Sequence, residues 1–191
     1  MRTLCTMFLA CAGLLATVSP ARADFVSTAT MSAATDGASN SKGSGTATVD
    51  WMSASNTFTY TLTWTNLTGP ATMAHIHFGA PGVDGPIVLP FFMSNMPASD
   101  TISGSLTAAD LMPDPAGGIN TIADVATAIE NGNAYVNVHT AQYPAGEIRG
   151  QLAVSSTATP EPETTGLMLL AFAGGAVVSV RRRRLAAVAI K

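Results

Sequence analysis

Cysteine is almost missing from this chain. Its two copies, Cys5 and Cys11, both fall in the first 11 of 191 residues, inside an apolar stretch that reads as a leader to be removed. What remains has no disulfide, no thiolate nucleophile and no sulfur-based zinc site to offer. Charge is scarce too: Asp, Glu, Lys and Arg make up 11% of the residues, against 47% hydrophobic. Positive charge nearly vanishes from the middle. Between Asp24 and Thr159 only Lys42 and Arg149 are basic, against eight Asp and two Glu, so a nucleic-acid-binding face is excluded. No apolar run reaches the roughly 18–20 residues of a full membrane span. There is no G-x-S-x-G elbow, no H-E-x-x-H helix and no phosphate-binding glycine loop, and the chain is expected not to be an enzyme.

What is there begins with the two ends. Arg2 precedes an apolar run, which is followed by Pro20-Ala21-Arg22-Ala23. Small residues at Ala21 and Ala23 suit a signal peptidase that cuts between Ala23 and Asp24, making residues 1–23 a signal peptide. The far end has three parts. Residues 156–164 form a Pro/Glu/Thr linker containing Pro160, Glu161 and Pro162, residues 165–180 are an apolar stretch, and Arg181, Arg182, Arg183 and Arg184 open a basic tail over 181–191. As a helix, the 15 residues of 166–180 would rise about 22 Å, short of a hydrocarbon core of about 30 Å. The arginines would hold that end on the cytoplasmic side. This three-part pattern resembles the PEP-CTERM sorting signal of Gram-negative bacteria. The resemblance implies an exosortase that cleaves near Pro160-Glu161-Pro162, with transient inner-membrane contact before release to the cell surface or medium. The seven residues after Arg184 make a longer tail than that signal usually has, and an ordinary single-pass anchor is the alternative.

Residues 24–155 remain, enough for one core. Thr57-Phe58-Thr59-Tyr60-Thr61-Leu62-Thr63-Trp64-Thr65 alternates threonine with large apolar residues, the pattern of a half-buried strand. Residues 46–52 alternate likewise and are expected to pair with it as a hairpin. Further strands are expected at 25–33, 71–78, 87–92, 101–107, 134–140 and 147–154, separated by Gly, Pro, Asn and Asp clusters. One helix is expected where Ile122, Val125, Ala126 and Ile129 recur at helical spacing before Gly132. The fold class is therefore mainly β: an antiparallel β-sandwich or Greek-key barrel with one short helix.

All three histidines lie in two of these strands. Alternation puts Ala74, Ile76 and Phe78 on one face and His75 and His77 on the other. In the second strand it turns Val136 and Val138 inward and Tyr135, Asn137 and His139 outward. In the third, Ile148, Leu152 and Val154 turn inward and Glu147, Arg149 and Gln151 outward. If the strands are neighbours, His75, His77, Asn137, His139, Glu147, Arg149 and Gln151 share one exterior wall.

The segments His75-Ile76-His77-Phe78-Gly79-Ala80-Pro81-Gly82, Ile102-Ser103-Gly104-Ser105-Leu106-Thr107 and Tyr135-Val136-Asn137-Val138-His139-Thr140, together with Gly146-Glu147-Ile148-Arg149-Gly150-Gln151-Leu152, resemble the CHRD domain over about 24–154. That domain is named from chordin and is common in bacterial secreted proteins. The resemblance implies an exported binding or structural module of the envelope or exopolysaccharide matrix. Its partners would be signal peptidase and exosortase during export, then extracellular polysaccharide or envelope proteins, and no cofactor or reaction is implied.

Two readings of the histidines stand side by side. In one, His75 and His77 hydrogen-bond loop carbonyls while Glu147 and Arg149 pin the sheet. In the other, His75, His77 and His139 are ligands of copper or zinc. Residues two apart in a strand are about 6.6–7 Å apart at the backbone, close enough for two imidazoles to converge on one ion. A neighbouring strand would supply the third.

Overall fold

The computed structural model describes residues 23–33, 38 and 40–157. Residues 1–22, Pro160, Glu161, Pro162, the apolar stretch 165–180 and Arg181, Arg182, Arg183 and Arg184 lie outside the described residues. Among the described residues nine strands run β1 (Phe25–Ser32), β2 (Ser44–Met52), β3 (Thr57–Thr65), β4 (Ala71–Phe78), β5 (Ile87–Phe92), β6 (Asp100–Leu106), β7 (Ala134–Thr140), β8 (Ile148–Gln151) and β9 (Ala153–Thr157). A 3-10 turn at Ala108–Asp110 and one helix, α1 (Ile122–Glu130), precede β7. Among the described residues no helix is long and apolar enough to cross a membrane.

Every pairing is antiparallel. The strands form one sheet in the order β5-β4-β7-β8-β1-β2-β3-β6, with β9 also beside β1. Its two ends curl towards each other. The Tyr60 ring of β3 lies 4.7 Å from Phe91 of β5, and Trp64 lies 5.4 Å from Phe92. Of the two architectures expected, the nearly closed, barrel-like sheet is the one that forms.

The alternation of β3 explains its place in that barrel. Phe58, Leu62 and Trp64 are fully buried, and burying Phe58 or Leu62 is worth roughly 1.5–3 kcal/mol each. On the opposite face Thr61 and Thr63 meet Ser103 and Thr101 of β6, hydroxyl to hydroxyl, at 3.0 Å each. At the β2–β3 turn, Asp24 accepts a 2.7 Å hydrogen bond from the Ser53 backbone N–H. The Ser53 side chain and, after it, this backbone bond hold its carboxyl below the usual aspartate value. The helix starts with a reciprocal cap between Thr121 and Asp124, and Gly132 at φ +69° follows its end, as residue types at those positions favour. Its buried face, Ile122, Val125, Ala126 and Ile129, packs against β7 and β9.

Candidate metal centre

Register decides what the histidines meet. β7 lies between β4 and β8, with His75 opposite Asn137, His77 opposite Tyr135 and Met73 opposite His139. On its other side β7 sets Asn137 opposite Arg149 and Tyr135 opposite Gln151. His75 and His77 therefore share a face of β4, and His139 stands one pleat along on the adjacent strand. Their ring centroids are 5.6 Å (His75–His77), 5.0 Å (His75–His139) and 6.0 Å (His77–His139) apart. One ring nitrogen from each lies within 4.8 Å of the others. The expected convergence of the three imidazoles is present.

The expected exposure is not. His75, His77, His139, Asn137, Glu147 and Arg149 are all buried, and Gln151 is half-buried. The wall is roofed by loops whose backbone its side chains capture. From the loop between β4 and β5, the Gly85 carbonyl lies 2.9 Å from His77 Nδ1, and Gly85 N–H donates to the Tyr135 hydroxyl at 3.1 Å. Arg149 donates to the Val83 carbonyl and the Asp84 carboxylate, both at 2.7 Å. From the loop between β7 and β8, the Pro144 carbonyl lies 3.0 Å from His139 Nδ1, and the Ala145 carbonyl accepts from Asn137 Nδ2 at 3.0 Å. Gln151 Nε2 donates to the Gly79 and Gly132 carbonyls at 3.0 and 2.7 Å. Strand periodicity reports which side of the sheet a residue takes. It says nothing of what folds over that side, and polar wall groups suit loop backbone as well as water.

Glu147 leaves the wall altogether. It follows Gly146, at φ +132°, and precedes the first residue of β8, so alternation within the ladder does not govern it. Its carboxylate instead accepts from Ser41 Oγ (2.6 Å), the Thr68 N–H (2.8 Å), Thr68 Oγ1 (2.8 Å) and Thr140 Oγ1 (2.6 Å). Burial works to raise its pKa, but these four bonds to the ionised form outweigh burial, and the net shift is downward.

The ring chemistry follows from the carbonyls. A carbonyl only accepts, so Nδ1 of His77 and of His139 carries the proton, and in the neutral form of each ring Nε2 presents a lone pair. Burial pushes His75 down to about 4, helped by the neighbouring His139 and His77. Burial also lowers His77, against the pull of the Gly85 carbonyl. At neutral pH both are uncharged, the form that ligates metal. His75 Nδ1 and His77 Nε2 are buried with no hydrogen-bond partner among the protein atoms, where interior polar atoms nearly always have one. Ring nitrogens of a tetrahedral ion at about 2.0 Å would lie about 3.3 Å apart, so small side-chain rotations would bring 4.8 Å to bonding distance. A backbone carbonyl on the distal nitrogen is the usual support that fixes a ligating imidazole.

The hydrogen-bonding reading is thus partly realised. His77 bonds a loop carbonyl and Arg149 pins the roof, while His75 touches the thioether of Met93, Nε2 to Sδ at 3.0 Å. Sequence reasoning missed Met93, Gly85 and Pro144. All three lie in loops, where no period marks them.

A stack completes the site. Tyr135 lies parallel to His77 at 4.8 Å and 10°, and the Arg149 guanidinium carbon sits 3.4 Å from the Tyr135 ring centre. A Cβ at Gly85 would drive into the Phe78 carbonyl oxygen. Gly85→Ala is therefore expected to shift the roof, cost about 2–3 kcal/mol in chemical denaturation, and move the His77 ring proton resonances. Unchanged resonances would show that the loop does not hold that ring.

No curated protein matches the chain. Residues 26–152, about two thirds of the chain, match the CHRD domain, and the match covers β1 to β8 with every wall residue and both roofing loops. The chain belongs to the CHRD domain family.

Proposed function

We propose that this is an exported CHRD module that binds a copper or zinc ion through His75, His77 and His139, without catalysing a reaction. One observation carries the proposal: three buried imidazoles from two adjacent strands, one nitrogen of each within 4.8 Å of the others, two of them oriented by loop carbonyls. The CHRD family suggests a secreted or extracellular setting, and the Ala23–Asp24 junction and the PEP-CTERM-like tail support export by signal peptidase and exosortase. Envelope proteins or extracellular polysaccharide would be its neighbours there.

Metal analysis tests this reading. The purified protein, reconstituted with copper or zinc and desalted, is expected to retain about one ion per chain. His77→Ala is expected to retain less than a tenth of that while keeping its β-sheet circular dichroism. Wild-type protein that keeps no metal, with a melting temperature indifferent to added copper and zinc, would retire the proposal in favour of a purely structural histidine cluster.

A further inference from the structure

Each imidazole of the cluster meets, on one of its nitrogens, a group that only accepts. For His77 and His139 that group is a backbone carbonyl on Nδ1, from Gly85 at 2.9 Å and Pro144 at 3.0 Å. For His75 it is a side chain. The thioether sulfur of Met93, the residue directly after β5, lies 3.0 Å from Nε2. A thioether carries no hydrogen, so Nε2 of His75 is the donor, and the lone pair of the neutral ring falls on Nδ1. That is the nitrogen with no partner among the protein atoms. The rings therefore present a mixed set of lone pairs, Nδ1 from His75 and Nε2 from His77 and His139.

The partner of His75 differs from the other two in chemistry and in access. Backbone carbonyls are fixed by the fold and inert, whereas a methionine sulfur can be oxidised. Met93 is also 58% exposed, high for a large apolar residue, while the ring it serves is fully buried. Solvent thus reaches a group on which the tautomer of a buried ring depends. Without an acceptor there, the Nε2–H would be stranded in the interior, where donors are nearly always paired. A proton on Nδ1, pointing at the ion's place, would then compete.

Resting on the three-histidine reading above, we infer that Met93 is an oxidisable positioning residue of this centre. Its thioether holds His75 with Nδ1 offered to the ion, and oxidation to the sulfoxide releases that hold and weakens metal binding. Hydrogen peroxide suffices as oxidant. A sulfur lone pair attacks one peroxide oxygen, the O–O bond breaks, an S–O bond forms and, after proton transfer, water leaves. The sulfur loses two electrons and the peroxide gains them. The new oxygen, added from the solvent side, faces water, and the sulfur becomes the positive end of an S–O dipole, unsuited to an N–H.

Imidazole nitrogen NMR spectra of the isotope-labelled, metal-free protein test the tautomers. In the wild type at neutral pH, His75 is expected to carry its proton on Nε2, and His77 and His139 theirs on Nδ1. Met93→Leu keeps the volume and removes the acceptor, and matching melting curves confirm its fold. Its His75 is expected to become a mixture of tautomers. Titrations with zinc and, anaerobically, with Cu(I) test the coupling, before and after the metal-free protein is treated with peroxide and freed of it. Met93→Leu and treated wild type are each expected to lose about tenfold in affinity, the low end for an outer partner of a ligating histidine. Treatment is expected to leave Met93→Leu within about twofold of its untreated affinity, and methionine sulfoxide reductase to restore the wild type. A wild-type His75 protonated on Nδ1, an unchanged His75 signal or affinity in Met93→Leu, or an equal peroxide effect in both proteins would overturn Met93's role. The three-histidine centre would still stand, with metal lost in His77→Ala. A wild type that binds neither ion overturns both.

Discussion

Glu147→Ala is expected to destabilise the protein by about 4 kcal/mol, the largest single effect predicted for this fold. The carboxylate is fully buried and joins three separate pieces of chain: Ser41 before β2, Thr68 between β3 and β4, and Thr140 at the end of β7. Alanine would strand four donors at once. Hydrogen bonds to an ionised group are worth about 1.5–3 kcal/mol each and are not additive, which is why the total is well below their sum. Glu147→Gln is expected to cost only about 1–2 kcal/mol. Its amide oxygen can still accept from the Thr68 N–H, which cannot reverse its polarity, while the hydroxyls can rotate and accept from the amide nitrogen.

The pH dependence follows from the same bonds. The folded pKa of Glu147 lies below the usual 4.5, so the native state favours the ionised form. Its contribution is fully present above about pH 4.5 and is lost as the pH falls through the lowered folded value. Urea midpoints from pH 7 to pH 3 should therefore show the wild type's advantage over Glu147→Gln shrinking below pH 4.5. An alanine variant within 0.5 kcal/mol of wild type at pH 7 would show that this carboxylate pins nothing.

Arg149→Ala is expected to cost about 2–3 kcal/mol and to weaken metal binding by tenfold or more. The ion pair is not the reason. Asp84 is 92% exposed on its side-chain surface, so its attraction is screened, and Asp84→Ala should change stability by less than about 0.5 kcal/mol. The weight lies in the bond to the Val83 carbonyl and the guanidinium plane on Tyr135. Together these hold the loop whose Gly85 orients His77. Arg149→Lys should not rescue, because an ammonium can neither stack flat on the ring nor span both acceptors. Isothermal titration alongside thermal melts separates the outcomes. Full metal affinity in a destabilised Arg149→Ala would uncouple the roof from the centre.

Much of this was open to inspection before any coordinates. The β3 alternation, the 46–52 hairpin partner and the helix ending at Gly132 are local patterns. They depend on a residue and its neighbours two to four positions away, and the structure places these elements where the patterns do. The convergence of His75, His77 and His139 was also within reach, because period 2 assigns each to a face and only the adjacency of β4, β7 and β8 had to be supposed. The burial of that face was not legible. It arises from loop carbonyls at Gly85 and Pro144 that reach the imidazoles through turns of no fixed period. Glu147 went astray for a related reason, since face assignment by counting holds only inside a ladder and Gly146 at φ +132° breaks the count one residue before it.

By itself, then, the chain determined its class, a disulfide-free antiparallel β domain of the CHRD family with three imidazoles on one side of its sheet. Only the tertiary structure decided that this side is interior, that Met93 lies against His75, and that the three imidazoles converge in a buried setting. Residue order dictates which way a strand's side chains point, because the pleat is a local property of the backbone. What covers them is set by contacts between segments far apart in the chain, and that cover separates a solvated polar patch from a centre able to hold an ion.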